Sequence, residues 1–164
     1  MHVIHTVHTV HVIHVIHTVH TKHIKMLFFS RSKDEDARYI STMQVCEIVI
    51  DGKKYMSMEH YFQSQKYPPE KRHLFEKGGL YKMPKEAKRA GGKGGMKKNK
   101  CKLNITQWNG MSKDNNNDFH RIYVMKRAIC ARFQQDKRFR DILTRSNVDF
   151  VHYEKKRGKY DPFN

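Results

Sequence analysis

The residues whose types and spacing suit chemistry lie together in the stretch 56–67. Glu59, Gln63 and Lys66 recur there at helical spacing. At ~100° per residue of an α-helix they fall within an arc of about 60°, so a carboxylate, an amide and an ammonium group share one face. Phe62 borders this face. The pattern predicts a polar site laid along a helix beside an aromatic wall.

The residues around this stretch predict where the helix begins and ends. Ser57 is a favoured N-cap, which places Glu59 in the first helical turn. Pro68 ends the helix, because the residue before a proline is disfavoured in helical geometry. A carboxylate in the first turn is favoured as the anion by about 0.3–1 kcal/mol through the helix dipole.

A hairpin is predicted immediately before the helix. The alternating pattern of residues 44–51 predicts a strand, and the Asp51-Gly52 turn returns the chain through residues 54–56. The inward face of the strand is predicted to carry Cys46, Ile48 and Ile50. The hairpin therefore delivers the chain directly into the helix that holds Glu59.

The remaining apolar patterns predict further short elements and one long helix. The predicted elements are a strand at 26–30, short helices at 70–77 and 84–90, a long amphipathic helix at 119–135, a further helix around 139–143 and a strand at 148–153. In the long helix, the residues predicted to face the core are Phe119, Ile122, Met125, Ile129 and Phe133. Its solvated face is predicted to carry Arg121, Lys126, Arg127 and Arg132. Trp108, the sole tryptophan, taken alone favours a core position over a ligand contact.

The charge of the chain indicates an anionic partner. The 164 residues include 33 Lys+Arg and 16 Asp+Glu, for a formal net charge of +17. Nucleic acid is the commonest partner of such a surface, and a phosphorylated metabolite or an ADP-ribosyl group would be attracted by the same field. The basic residues are densest in Lys82, Lys85, Lys88, Arg89, Lys93, Lys97, Lys98, Lys100 and Lys102. The glycine-rich part of this segment predicts a flexible loop with some anion contact.

The first 25 residues differ in composition from the rest of the chain. His occurs at every third position from residue 2 to residue 23, among Val, Ile and Thr. This period matches neither helix nor strand, and predicts a low-complexity extension outside the fold, with adventitious metal binding as the alternative. The predicted domain therefore spans residues 26–164.

Cysteine content and hydropathy bear on the compartment. The chain has 3 cysteines at wide separations, which fits reduced thiols rather than a disulfide framework or a metal knuckle. The sequence contains neither an apolar run of about 18 residues nor the apolar core of a secretory signal. We expect a cytoplasmic protein without a membrane contact.

The ordered series of motifs resembles the YbiA/NADAR family of N-glycosidase domains. The resemblance covers residues 26–158, and its most specific part is the block Glu59-His60-Tyr61-Phe62-Gln63-Ser64-Gln65-Lys66. The weaker matches are Phe28-Phe29-Ser30, Ile50-Asp51-Gly52-Lys53 with Tyr55, residues 87–92, Trp108, Val124-Met125-Lys126-Arg127-Ala128 and Arg132-Phe133. The resemblance implies a compact, predominantly helical α+β fold.

The resemblance also implies an activity, hydrolysis of a bond between ribose C1′ and nitrogen. The implied substrates are phosphoribosylaminopyrimidine intermediates of riboflavin biosynthesis, with release of ribose 5-phosphate, or ADP-ribose linked to guanine. Such a reaction passes through a cation-like sugar, for which Glu59 would be the fixed anion and the base for water. The expected substrate contacts are Lys66 and Arg89 for phosphate, Phe62, Trp108 and Tyr160 for stacking, and Gln63 as a polar contact. No cofactor and no metal are expected.

The chain departs from the family pattern at two points. It reads Ile40-Ser41-Thr42 where the family has a Ser-Asn step, and Gly158-Lys159-Tyr160-Asp161 where the family has a Trp-Gly motif. Tyr160 would stand in the place of the tryptophan. Two alternatives to the enzyme follow from the residues: a basic nucleic-acid-binding module, and an inactive nucleotide-binding relative of the glycosidases.

Overall fold

The structure is a computed structural model that describes residues 25–28, 33–112, 118–146, 149–156 and 159–162. The predicted extension at 1–25 lies outside these ranges apart from its last residue. In chain order the elements are β1 (Lys25–Phe28), α1 (Glu35–Tyr39), β2 (Ile48–Ile50), β3 (Lys53–Tyr55), α2 (Met58–Ser64), a 3-10 helix (Pro69–Phe75), α3 (Pro84–Ala90), α4 (Lys93–Lys98), α5 (Ile105–Asn109), α6 (His120–Gln135), α7 (Lys137–Arg145), β4 (Asp149–Lys156) and β5 (Lys159–Pro162). The predicted fold class, α+β and mainly helical, is confirmed. No described helix combines the length and the apolar composition needed to cross a bilayer.

The elements fall into two units. The terminal unit takes the described residues up to Ser41 and from Asp136 onward, and the central unit is Thr42–Gln135. In the terminal unit, β1 pairs in parallel with β4, and β4 pairs antiparallel with β5. The predicted last strand is confirmed but longer, and the residues of β5 after it form a strand that the sequence does not predict.

Helices α1 and α7 of the terminal unit are joined by polar contacts. Asp136 caps α7 by accepting a hydrogen bond from Phe139 N at 3.0 Å, and also accepts one from the Tyr39 hydroxyl at 3.0 Å. The Arg138 guanidinium lies over the Tyr39 ring at 4.3 Å and pairs with Glu35. These contacts hold the start of α7 against α1.

The predicted hairpin opens the central unit. Asp51 and Gly52 have φ of 52° and 74°, the left-handed pair that a two-residue type I′ turn requires. Ile48 and Ile50 are buried, as predicted. The strand is shorter than residues 44–51, because the chain before Ile48 makes single hydrogen bonds, such as Cys46 N to Met56 O at 3.0 Å, rather than a ladder.

The basic, glycine-rich segment is more ordered than its composition predicts. Helix α3 spans Pro84–Ala90 as predicted, but α4 occupies Lys93–Lys98, where the sequence predicts a flexible loop. That prediction is wrong because Met96 is buried. It joins a core cluster with Tyr67, Phe75, Ala87 and Ala90. The burial of one apolar side chain folds this stretch, while its lysines remain exposed.

The long helix α6 is confirmed, but its predicted buried face is only partly correct. The fully buried residues are Val124, Ala128 and Arg132. Of the predicted core residues, Met125, Ile129 and Phe133 are half-buried, whereas Phe119 and Ile122 are 49% and 37% exposed. Arg132, predicted to be solvated, is 1% exposed.

Polar anchors on β2 explain this orientation of α6. The Gln135 side chain accepts from Val49 N and donates to Val49 O, each at 2.8 Å, and Arg127 pairs with Asp51 at 2.6 Å. These contacts turn a stripe of mostly small residues toward β2 and α2 in place of the larger apolar residues.

Candidate active site

Helix α2 begins where the sequence predicts, at the Ser57 cap. The Ser57 hydroxyl oxygen accepts from His60 N at 3.3 Å and also contacts His60 Nδ1 at 2.8 Å. The other ring nitrogen, Nε2, lies 3.2 Å from the Tyr81 carbonyl oxygen. Burial lowers the pKa of His60 below its ordinary value, which favours the neutral imidazole. This contact set fixes the first turn of α2, in which Glu59 lies.

The carboxylate of Glu59 is buried, although a first-turn position predicts an exposed one. The residue is 5% exposed. Its Oε2 accepts a hydrogen bond from the Thr42 hydroxyl at 3.2 Å, and its Oε1 accepts from Gln63 Nε2 at 2.8 Å. Its backbone N–H donates to the Thr42 carbonyl at 3.1 Å. Two donors aimed at the carboxylate oxygens hold it in one orientation.

Gln63 supplies one of those donors and has an unusual environment itself. The residue is 5% exposed, and within the described part of the chain its Oε1 is buried without a hydrogen-bond partner. A buried carbonyl without a partner costs about 1–3 kcal/mol, and such an atom calls for a specific explanation. Gly91 lies directly against this oxygen, since a Cβ built on Gly91 would be 1.7 Å from it.

Lys66 lies against an aromatic wall, as predicted. Its Nζ is 5.3 Å from the centre of the Phe62 ring and 5.6 Å from that of Trp108, and the two rings meet edge-on at 5.2 Å. The Nζ also donates to the Gly91 carbonyl at 3.5 Å. Lys66 follows the end of α2 at Ser64 rather than lying within the helix. It nevertheless remains beside the polar face that Glu59 and Gln63 form.

The charges around Lys66 act in opposite directions on its pKa. Burial lowers the pKa of the ammonium group below its ordinary value of 10.5. The carboxylate of Glu59 raises the pKa, and the ammonium of Lys88 lowers it further. A half-buried cation next to a second cation is a favourable place for an anionic ligand, because the ligand relieves both the burial of the charge and the repulsion.

The structure brings together most of the predicted site residues, but not all of them. Glu59 contacts Gln63, and Lys66 contacts Phe62 and Trp108. The two groups meet at Gly91, which lies against Gln63 and accepts from Lys66. Trp108 is 8% exposed, which agrees with the core position that the sequence favours, and its ring also contacts Phe62.

Arg89 is not part of this set of contacts, and it is exposed on α3. Tyr160 lies in β5 of the terminal unit, and the predicted role of its side chain lies outside the described residues. For all the predicted site residues, catalysis and substrate binding stay predictions.

Three further residues of the site are not assigned a role by the sequence. Thr42 reaches Glu59 from 17 positions earlier in the chain. Gly91 contacts both Gln63 and Lys66, and the sequence shows it only as one glycine of a glycine-rich segment. Lys88, rather than its neighbour Arg89, is the basic residue whose charge reaches Lys66. The signal for Thr42 is its position in the segment where the chain departs from the YbiA/NADAR pattern.

The arrangement can stabilise a positive charge that develops next to Glu59 and hold an anion next to Lys66. The described residues include no group of three or more His, Cys, Asp or Glu side chains placed to hold a metal ion. The chemistry that a fixed carboxylate such as Glu59 can supply is electrostatic stabilisation and proton transfer.

The fold that carries this site is YbiA-like. The NMR structure of the Escherichia coli protein YbiA matches with a TM-score of 0.57 and 22% sequence identity, over 85% of this chain and 73% of that chain. At this identity the likeness shows the fold alone, and it confirms the fold that the sequence resemblance implied. No family model matches the chain, and no curated protein does.

Proposed function

We propose that this chain is a metal-independent N-glycosidase of the YbiA/NADAR type. Its reaction is hydrolysis of the ribosyl C1′–N bond, either of phosphoribosylaminopyrimidine intermediates of riboflavin biosynthesis or of ADP-ribose linked to guanine. The observation that carries the proposal is the buried carboxylate of Glu59, held by Thr42 and Gln63, beside the ammonium of Lys66. Such substrates agree with the cytoplasmic location expected from the sequence.

The proposed chemistry assigns Glu59 to the sugar. When the C1′–N bond breaks, its electron pair goes to the departing nitrogen base and C1′ becomes cation-like. The Glu59 carboxylate stabilises that charge without reorganisation, because its two hydrogen bonds already fix it. It then takes a proton from the water that adds to C1′, and this proton passes through solvent to the departing nitrogen base, which leaves neutral.

The remaining site residues bind the two ends of the substrate. Lys66 carries the half-buried positive charge that suits a phosphate, and the nearby Lys88 adds to that field. Phe62 and Trp108 offer aromatic surface next to Lys66 for the base. A basic region beside an aromatic region suits a substrate that is anionic at one end and aromatic at the other.

The test is direct. The chain is incubated with each candidate substrate in turn, and release of ribose 5-phosphate or of ADP-ribose is measured, with and without EDTA. Product formed equally in both conditions supports the proposal and identifies the substrate. The absence of product from both substrates would overturn it.

The exposed lysines favour a second candidate, a nucleic-acid-binding module. Lys85, Lys93, Lys97 and Lys98 are exposed on α3 and α4. The nearby acid, Glu86, accepts bonds from Lys82 N and Met83 N. Binding to nucleic acid would fall steeply with salt, whereas binding of a single nucleotide would fall little. Nucleotide binding that depends only weakly on salt, without formation of product, would indicate an inactive nucleotide-binding relative.

A further inference from the structure

The side-chain amide of Gln63 is held in an arrangement that its own hydrogen bonding does not favour. Its Nε2 donates to Glu59 Oε1 at 2.8 Å, while its Oε1 is buried and has no partner among the described residues. Rotating the amide would not help, because the carbonyl oxygen would then face the carboxylate, and both groups are acceptors. The amide therefore satisfies Glu59 and leaves its own oxygen unsatisfied.

The lack of a side chain at Gly91 leaves room for this arrangement. Gly91 has φ of −72°, a conformation that any residue adopts, so the backbone itself does not require glycine here. The requirement comes from Gln63. A Cβ on Gly91 would lie 1.7 Å from Gln63 Oε1 and 2.6 Å from its Cδ. A side chain at this position would force the amide of Gln63 away from Glu59.

We propose that Gln63 is a positioning residue for Glu59 rather than a substrate contact, and that Gly91 is glycine in order to leave room for its amide. The inference rests on the proposed function, in which Glu59 carries the chemistry. It changes the role that the sequence assigns to Gln63. It also gives a role to Gly91, whose carbonyl accepts from Lys66 on the other side.

The first test is Gly91→Ala. The two closest atoms that the new methyl group meets, Oε1 and Cδ, are the far end of the flexible Gln63 side chain, and Gln63 Cβ at 3.2 Å needs to give by only a few tenths of an ångström. The protein is therefore expected to fold with the Gln63 amide displaced. We expect kcat to fall by roughly 10- to 100-fold, because a carboxylate released from one of its two donors is misplaced. KM should stay within about twofold, since uniform binding is unchanged.

Gly94→Ala is the matched control. Gly94 is exposed on α4, and a Cβ there meets nothing within 4 Å. The same substitution should leave kcat and KM unchanged. An equal loss of kcat in both variants would show that the effect comes from the glycine-rich segment in general and would overturn the proposal.

A double-mutant cycle separates positioning from packing. Gln63→Met removes the amide and keeps a side chain of similar length. It should lower kcat about as much as Gly91→Ala, and Gly91→Ala should add little further loss in the Gln63→Met background, because both act through one contact. Additive losses, or losses that follow the melting temperature, would show that these residues only pack the fold.

A readout that needs no activity distinguishes failure of this inference from failure of the proposed function. In NMR spectra of the side-chain amides, one Gln63 proton should show the downfield shift of a bond to a carboxylate. That shift should be lost in Gly91→Ala and in Glu59→Ala, and kept in Gly94→Ala. If the shift behaves in this way but no substrate is hydrolysed, the positioning holds and the N-glycosidase proposal fails. If Gly91→Ala keeps the shift, the positioning proposal fails.

Discussion

Replacing Glu59 by Gln tests the central assignment with little change of shape. Glu59 accepts from Gln63 on one oxygen and from Thr42 on the other. The new amide can satisfy both neighbours, because its oxygen can accept from Gln63 and its nitrogen can donate to the Thr42 hydroxyl oxygen. The substitution therefore removes the charge and keeps the contacts. We expect the free energy of unfolding to change by less than about 2 kcal/mol.

The loss of activity follows from the electrostatics of a buried charge. A carboxylate at ~4 Å from a unit positive charge stabilises it by about 4 kcal/mol at an effective dielectric constant of about 20. Each 1.36 kcal/mol corresponds to about a tenfold change in rate. The amide dipole keeps part of the interaction, so turnover should fall by a factor of roughly 10² to 10³. KM should change little, because the anionic end of the substrate is held near Lys66.

The assay compares kcat, KM and the melting temperature of Glu59→Gln with those of the parent. Glu70→Gln, the same change at an exposed carboxylate of the 3-10 helix, is the control and should leave all three unchanged. Turnover of Glu59→Gln within a few-fold of the parent would show that this carboxylate does not carry the chemistry. The nucleic-acid-binding module would then be the better account of the chain.

Four further predictions concern other parts of the molecule. Lys66→Met should raise KM more than it lowers kcat, and an unchanged KM would show that Lys66 does not bind the phosphate. In the parent protein, burial lowers the pKa of Lys66, so the affinity for inorganic phosphate should begin to decline at a pH below the ordinary lysine pKa of 10.5. Gly52→Ala should lower the free energy of unfolding by about 1–2 kcal/mol in urea titrations, because φ is 74° there. His60 has a lowered pKa, so the unfolded chain binds its proton more readily than the folded one. The contribution of neutral His60 to the free energy of unfolding should be fully present above about pH 6.5 and should be lost as the pH falls below it. The free energy of unfolding should therefore decline less steeply with falling pH in His60→Gln. Deleting residues 1–24 should leave the melting temperature and activity unchanged, whereas a longer deletion would cut into β1, which begins at Lys25.

Local signals in the sequence predict the elements that carry the site. The Ser57 cap, the Asp51-Gly52 turn and the bounds of α3 are each determined by residues within one or two turns of chain, and the structure confirms all three. Propensity and turn chemistry act over this range, so the sequence displays them directly.

Long-range packing determines what the sequence does not predict. Helical spacing places Glu59, Gln63 and Lys66 on one side, but it does not tell whether that side meets solvent or core. Thr42 comes from a distant segment and donates to the carboxylate of Glu59, and Gly91 comes from another and lies against Gln63.

Helix α6 shows the same limit. Its apolar residues predict one buried face, yet hydrogen bonds of Gln135 to Val49 turn another face inward and bury Arg132. The spacing of apolar residues along a helix does not predict polar contacts to a strand, because those contacts depend on which element packs against the helix.

Because Trp108 is the sole tryptophan of the chain, all intrinsic tryptophan fluorescence of the protein comes from the rim of the site. The indole ring lies 5.6 Å from the charge of Lys66 and meets the Phe62 ring edge-on. An anion that neutralises Lys66 changes the electric field across the indole, and a stacked base changes its quenching. If the proposed anionic ligand binds beside Lys66, the tryptophan emission of the unmodified protein should change with ligand occupancy. Titrations can follow it without a label and before any product is known.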